Sequence, residues 1–201
     1  MNIRNIFFSV LCISSLSTPL FSKNFDLVIN STDIQYIKKA KDYKKIISRV
    51  KNYRLFFDKT KELSDIKKVT RVNNFFNKYK YINDDKNYSK NDYWASRKEF
   101  ILKGGGDCED YAIAKYYTLL ELGIDEGNIS LSSALYKNKG HMVVLYKRNN
   151  TNYVLDNNNL LLLPIYKRTK IKLLRKIKVI KKNKRIYRVD NIYNKVKYNK
   201  I

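Results

Sequence analysis

Apolar positions between residues 31 and 80 recur at helical spacing. Ile34, Ile37 and Ala40 follow one another, as do Ile46, Ile47 and Val50, with Leu55 a turn later. Steps of three and four residues put such side chains on one face of a helix. Thr32 or Asp33 stands where the first helix needs a cap. Ser64-Asp65 stands where a later helix begins, one that carries Ile66, Val69, Val72, Phe75, Phe76 and Tyr79. Asn83 to Asp92 is polar and reads as a loop.

A sharper pattern follows a run of three glycines, Gly104 to Gly106. Asp107 is a good N-cap, Cys108 to Leu122 has good helix formers and no breaker, and Gly123 ends the stretch. Ala112, Tyr116, Leu119 and Leu120 form its apolar stripe. Beyond it the period shortens. Ser130–Tyr136, His141–Tyr146 and Asn152–Leu155 read as strands, separated by Lys137-Asn138-Lys139-Gly140 and Arg148-Asn149-Asn150-Thr151. Strand-like stretches also cover Leu160–Ile165 and Ile171–Ile180. Short connections make neighbours antiparallel. Helices, then a core helix, then an antiparallel meander is an α+β arrangement. The chain divides into a helical lobe over about 31–92, a core over about 93–180 and a basic segment over 167–201.

Composition adds compartment and excludes disorder. The 201 residues are 44% hydrophobic, with 17 Tyr and 9 Phe, enough for one domain over 23–201. Residues 1–22 read as a secretory signal: Arg4, an apolar run from Ile6 to Leu16, and small residues up to Ser22. This implies a bacterial periplasm; whether the segment is cleaved or kept as an anchor stays open. Of the two cysteines, Cys12 lies in that segment, so the exported chain holds only Cys108, a thiol without an internal disulfide partner.

The net charge of +24 ordinarily suggests nucleic acid or an anionic surface. Lys is abundant together with Asn, Ile and Tyr, as in a chain from an A/T-rich genome, and no nucleic-acid partner is expected. The most basic stretch, Lys167 to Ile201, has 15 Lys or Arg against Asp190 alone. It reads as solvated surface, with non-catalytic binding of an anionic partner as the alternative.

Cys108 at a helix start has the setting that stabilises a thiolate, through free backbone N–H groups and the helix dipole. His141 is the only histidine in the chain, and Asp156 ends the next strand. A hairpin centred between Arg148 and Asn149 sets His141 opposite Asp156, on one face of the sheet. A thiol, an imidazole and a carboxylate in this order suit nucleophile, base and orienting acid. The Cys108 N–H would then serve an oxyanion. Asp107 and Glu109 flank the thiol and Asp110 follows. They either cap the helix or hold a hard cation such as calcium, which takes oxygen ligands.

These residues carry a family resemblance. Asp92-Tyr93-Trp94-Ala95 and Gly104 to Tyr116 resemble the bacterial transglutaminase-like cysteine proteases. So do Val72-Asn73, Phe76-Asn77, Gly140 to Val144 and Val154 to Asn157. The resemblance covers about residues 69–160, and its centre, GDCEDYAIAKY, is very specific. It implies a papain-like, transglutaminase-type core with a triad of Cys108, His141 and Asp156, and calcium held by Asp107 and Glu109 among others. It implies a large surface adhesin as substrate, cut at an Ala-Ala site to control biofilm attachment. It also implies an inner-membrane cyclic-di-GMP receptor that sequesters the protease. Arg97 departs from the family, which usually has Pro there, and the region past Pro164 is unusually basic. Other amide chemistry on the same fold, such as cell-wall peptide hydrolysis or acyl transfer, uses the same residues.

Overall fold

The computed structural model describes residues 27–177 and the strands 179–182 and 185–188. The expected signal over 1–22, with Cys12, and the end of the basic segment lie outside these residues. No described helix is long and apolar enough to cross a membrane.

The first helices form where the periodicity places them. They are α1 (Ser31–Lys39), α2 (Tyr43–Asp58) and α3 (Asp65–Phe76). Asn30, not Thr32 or Asp33, caps α1: it accepts from the Asp33 N–H at 2.9 Å, and Asp33 accepts from the Asn30 N–H at 2.8 Å. The reciprocal pair satisfies two donors that the first turn leaves orphaned, and the helix starts two residues earlier than a Thr32 cap would set it. Ser64 precedes α3 as expected, without a capping bond from its side chain.

The stretch read as a loop is partly ordered. After β1 (Lys80–Tyr81), Asp84–Tyr88 forms the short helix α4, and Arg97–Lys103 forms α5. Ser96 and Glu99 cap α5 reciprocally. Arg97 occupies its first turn, a position that equally suits proline because its N–H needs no intrahelical partner. The arginine side chain is wholly buried and paired with Glu121.

The glycine run then earns its place by close approach. Gly105–Gly106 is β2, paired in parallel with β1. A Cβ on Gly105 would lie 2.0 Å from the Lys80 carbonyl oxygen, and one on Gly106 2.1 Å from Asp110 Oδ2. Only glycine lets this strand press against both, and it delivers the chain directly into α6 (Cys108–Glu121).

α6 is the central element. It packs on the sheet and against α3 and α5. The predicted stripe was too narrow: Tyr111 to Tyr116 are all buried, as are Leu119 and Leu120. Val69, Val72 and Phe76 of α3 and Phe100 of α5 complete this core. Each large apolar side chain removed from water there is worth about 1.5–3 kcal/mol.

The sheet follows in β3 (Ile129–Tyr136), β4 (Lys139–Arg148), β5 (Thr151–Asp156), β6 (Asn159–Pro164) and β7 (Ile171–Ile177). Its order is β6-β5-β4-β3-β7, antiparallel throughout. The single long stretch expected over 171–180 is divided: β8 (Val179–Lys182) pairs with β9 (Arg185–Arg188) in a separate hairpin. Alternation sorts the two faces of β4. Met142, Val144 and Tyr146 join the α6 core, while Val143 and Leu145 pack with Ala134, Val154 and Ile171 on the other side. The architecture is the α+β arrangement expected, with a helix on an antiparallel sheet.

Candidate active site

The β4–β5 hairpin sets the relation between His141 and Asp156. Its two turn residues, Asn149 and Asn150, have φ of 46° and 57°. A two-residue hairpin turn of this kind needs positive φ at both positions, which asparagine tolerates. The register runs from Arg148↔Thr151 to Val144↔Leu155. The centre is therefore between Asn149 and Asn150, one residue later than expected, and the direct opposition of His141 and Asp156 is corrected. Continuing the ladder sets Asp156 across from Val143. A shift of two along a strand preserves the face, because side chains alternate. His141 and Asp156 thus meet as diagonal neighbours, Nε2 to Oδ1 at 2.8 Å.

Both groups are enclosed, with His141 7% and Asp156 0% exposed. Asp156 Oδ1 also accepts from the Asn158 N–H at 2.9 Å, and Oδ2 accepts from the Arg168 guanidinium. Burial alone would raise the Asp156 pKa. The hydrogen bond and charge of His141, the Asn158 N–H and Arg168 outweigh it and hold the carboxyl below its ordinary range. An ionised carboxylate only accepts, so the ring must donate from Nε2. When the ring carries one proton, its lone pair therefore lies on Nδ1.

Arg168, from the turn that leads into β7, is a site residue that sequence reading missed. Its number alone carried no signal, since it stood among many basic residues. Its contribution has a defined sign. A lowered Asp156 pKa gives stability that is present above the unfolded value near pH 4 and is lost as pH falls through the folded value. Arg168→Gln is expected to cost about 2 kcal/mol at pH 7, a hydrogen bond to a charged group being worth roughly 1.5–3. The loss should shrink toward pH 3. Urea unfolding at both pH values measures it, and an equal loss at each would remove Asp156 from the explanation.

Cys108 opens α6. Its thiol donates to Glu109 Oε2 at 3.1 Å and lies against the N–H of Met142, the residue next to His141. The helix start predicts a lowered thiol pKa. The structure gives the opposite direction: burial, then the charge and hydrogen bond of Glu109, then Asp107 push it up. Burial, together with the carboxyl oxygens beside the thiol, outweighs the partial charge of a helix terminus.

Those oxygens form a cluster wider than the sequence suggested. Asp84, Asp107 and Asp110 bring carboxylate oxygens within 4.8 Å of one another, and so do Asp84, Asp92 and Glu109. Asp84 is held by the Tyr93 N–H at 2.6 Å, and Asp110 by the Ala95 N–H at 2.7 Å. The second oxygens of these two, with Asp107 Oδ1, are buried and meet no hydrogen-bond donor. Burial and like-charged neighbours push Asp107 up to about 10 and Asp110 up to about 8. Buried acceptors converging without a donor fit a hard cation with oxygen ligands. Asp107 belongs to the first of these groupings and Glu109 to the second. Asp84, at the start of the unforeseen α4, is common to both groupings.

Trp94 is half-buried and packs against the main core. Two asparagines, Asn73 and Asn77, anchor the far end of the acid-bearing hairpin. Asn77 Nδ2 donates to the carbonyls of Asp156 and Asn159 at 2.8 and 2.9 Å. Asn73 Nδ2 donates to those of Asn159 and Leu160 at 2.9 and 3.0 Å.

With this geometry in view, the likeness to known proteins is specific. The family described as bacterial transglutaminase-like cysteine proteinase matches residues 29–190. Legionella pneumophila LapG is similar in structure, with a TM-score of 0.61 and 28% identity, over 72% of this chain and 81% of that one. Its calcium-bound form gives 0.62 and 28% over the same shares. Its EGTA-treated form gives 0.59 and 29%, over 69% of this chain and 76% of that one. No curated protein matches the chain. The match spans most of the chain and includes Cys108, His141 and Asp156, and the chain belongs to the bacterial transglutaminase-like cysteine proteinase family.

Proposed function

We propose that this chain is a periplasmic, calcium-dependent cysteine endopeptidase that cuts the N-terminal region of a large surface adhesin at an Ala-Ala type site. Release of the adhesin would then end biofilm attachment, and an inner-membrane cyclic-di-GMP receptor would restrain the enzyme. The observation that carries the reading is the placement of Cys108 beside Met142 while His141 donates Nε2–H to Asp156.

In this reading His141 Nδ1 accepts the thiol proton, and the sulfur attacks the scissile carbonyl carbon. The oxyanion that forms faces the Cys108 N–H and the start of α6. Collapse breaks the C–N bond, the imidazolium gives its proton to the leaving amine, and a thioester remains. Water, deprotonated by the same ring, then releases the acid and regenerates the thiol. Asp156 holds the tautomer throughout and stabilises the imidazolium. Asp84, Asp107 and Asp110, with Asp92 and Glu109, would hold calcium, which would offset the negative charge beside the sulfur.

Residues 23–201, supplied with calcium, should cut an adhesin N-terminal fragment once, between the two alanines, as read by fragment masses. Intact adhesin alongside released cell-wall peptides, or alongside a glutaminyl peptide joined to an amine, would replace this reading with the other amide chemistries.

A further inference from the structure

α6 carries one basic side chain, seven residues beyond the thiol and wholly inside the protein. Lys115 is 1% exposed, and its ammonium donates to Asn73 Oδ1 at 2.9 Å. Burial lowers its pKa to about 7, with Asp156 opposing that shift and Arg168 adding to it. Removing an ammonium from water is costly, and an apolar side chain of the same length would pack there at less expense. Stability therefore does not account for the charge, but direction does.

An asparagine amide has a donor end and an acceptor end that can exchange places by a flip. An ammonium offers donors only. Against Lys115, Asn73 must present Oδ1, so its Nδ2 is turned toward the carbonyls of Asn159 and Leu160. Those carbonyls open β6, directly after the turn that follows Asp156. Asp156 in turn pairs with Asn159 across that turn and holds the ring of His141. A continuous line of contacts runs from the helix that bears the thiol to the carboxylate that orients the base.

We propose that Lys115 is a positioning residue, which sets the Asn73 amide and through it fixes the hairpin that presents Asp156 to His141. The assignment rests on the protease reading only for its effect on turnover; its structural part stands without it. Lys115 touches no reacting atom in this scheme.

The test uses Lys115→Met and Asn73→Leu, singly and together, in the exported chain. The first readout needs no substrate. His141 is the only histidine, so its Nε2–H gives one ring resonance in a proton–nitrogen spectrum. In Lys115→Met that proton should exchange with water about tenfold faster, as local opening becomes easier, while the melting temperature stays level or rises. The second readout is cleavage of the adhesin fragment. Lys115→Met should lower kcat about tenfold and leave KM within about twofold, because misorientation of a catalytic group acts on the chemical step. The double variant should be no slower than Asn73→Leu alone, since both lie on one line of contacts. If Asn73→Leu does not fold, Asn73→Asp, which keeps a partner for Lys115 but donates to neither carbonyl, should reproduce the faster exchange. Wild-type exchange in Lys115→Met, or losses that multiply in the double variant, would overturn the assignment. Absence of cleavage by the unmodified chain would sink the protease reading and leave the exchange measurement to decide the rest.

Discussion

Cys108→Ala is expected to end cleavage of the proposed adhesin substrate, with a loss on the order of 10⁴-fold or more, the scale seen when a nucleophile is removed from a triad. The change deletes one sulfur at the head of α6 and leaves the helix otherwise intact. The thiol takes part in one side-chain hydrogen bond, to Glu109. Truncation therefore removes little packing, and the urea midpoint should stay close to that of the unmodified chain. The loss should fall on kcat, with KM for the adhesin fragment nearly unchanged, because only the attacking atom is removed. Cys108→Ser tests the same point more narrowly. A hydroxyl has the shape to attack but holds its proton far more tightly, so this variant should be about as inactive. Cleavage by Cys108→Ala within tenfold of the unmodified rate would mean that another group attacks the carbonyl, and the assignment of His141 and Asp156 would fall with it.

Local signals revealed the central helix and the strands because each is decided within a short window. The glycine run, Asp107 and the uninterrupted helix formers after it needed no tertiary information to read. The face shared by His141 and Asp156 was legible too, because it depends only on parity. The register was not. It depends on which two residues adopt positive φ, and Arg148-Asn149-Asn150-Thr151 contains two adjacent candidates for that turn. Helix α5 has a capping pair in Ser96 and Glu99, but its seven residues show no full apolar period to mark it as a helix. Arg168, Lys115 and Asp84 stayed hidden for a different reason. Each is one charged residue in a chain that is 30% charged, and only folding decides which of them is buried. The Cys108 pKa sets a helix start, which lowers it, against flanking carboxylates, which raise it, and burial decides the direction. The helix start and the flanking Glu109 are both local, whereas the burial that leads the upward shift is tertiary.

Calcium removal should have an effect nearly as large as loss of the thiol. In excess chelator, cleavage should fall at least about a hundredfold, since carboxylates beside a thiol oppose its ionisation unless a cation balances them. The structure also names a residue for the test that lies outside the thiol's own segment. Asp84 belongs to both carboxylate groupings and sits 24 positions before the cysteine, so its substitution leaves α6 untouched. Asp84→Asn should weaken calcium binding by about a hundredfold, charge count being a main determinant of such sites. Titration calorimetry reads that change without any substrate. Activity should return when calcium is raised in proportion, which separates a ligand from a residue needed for folding. Stability carries a matching sign. Asp107 and Asp110 are pushed up, so the folded protein without a cation holds protons that the unfolded chain has released. Its stability should therefore fall as pH rises from about 4 toward 8. Calcium at a hundred times its dissociation constant should add about 2.7 kcal/mol at the upper end of that range. A chelated protein that cleaves at the full rate, with unfolding unaffected by calcium at pH 8, would leave these acids as helix caps and nothing more.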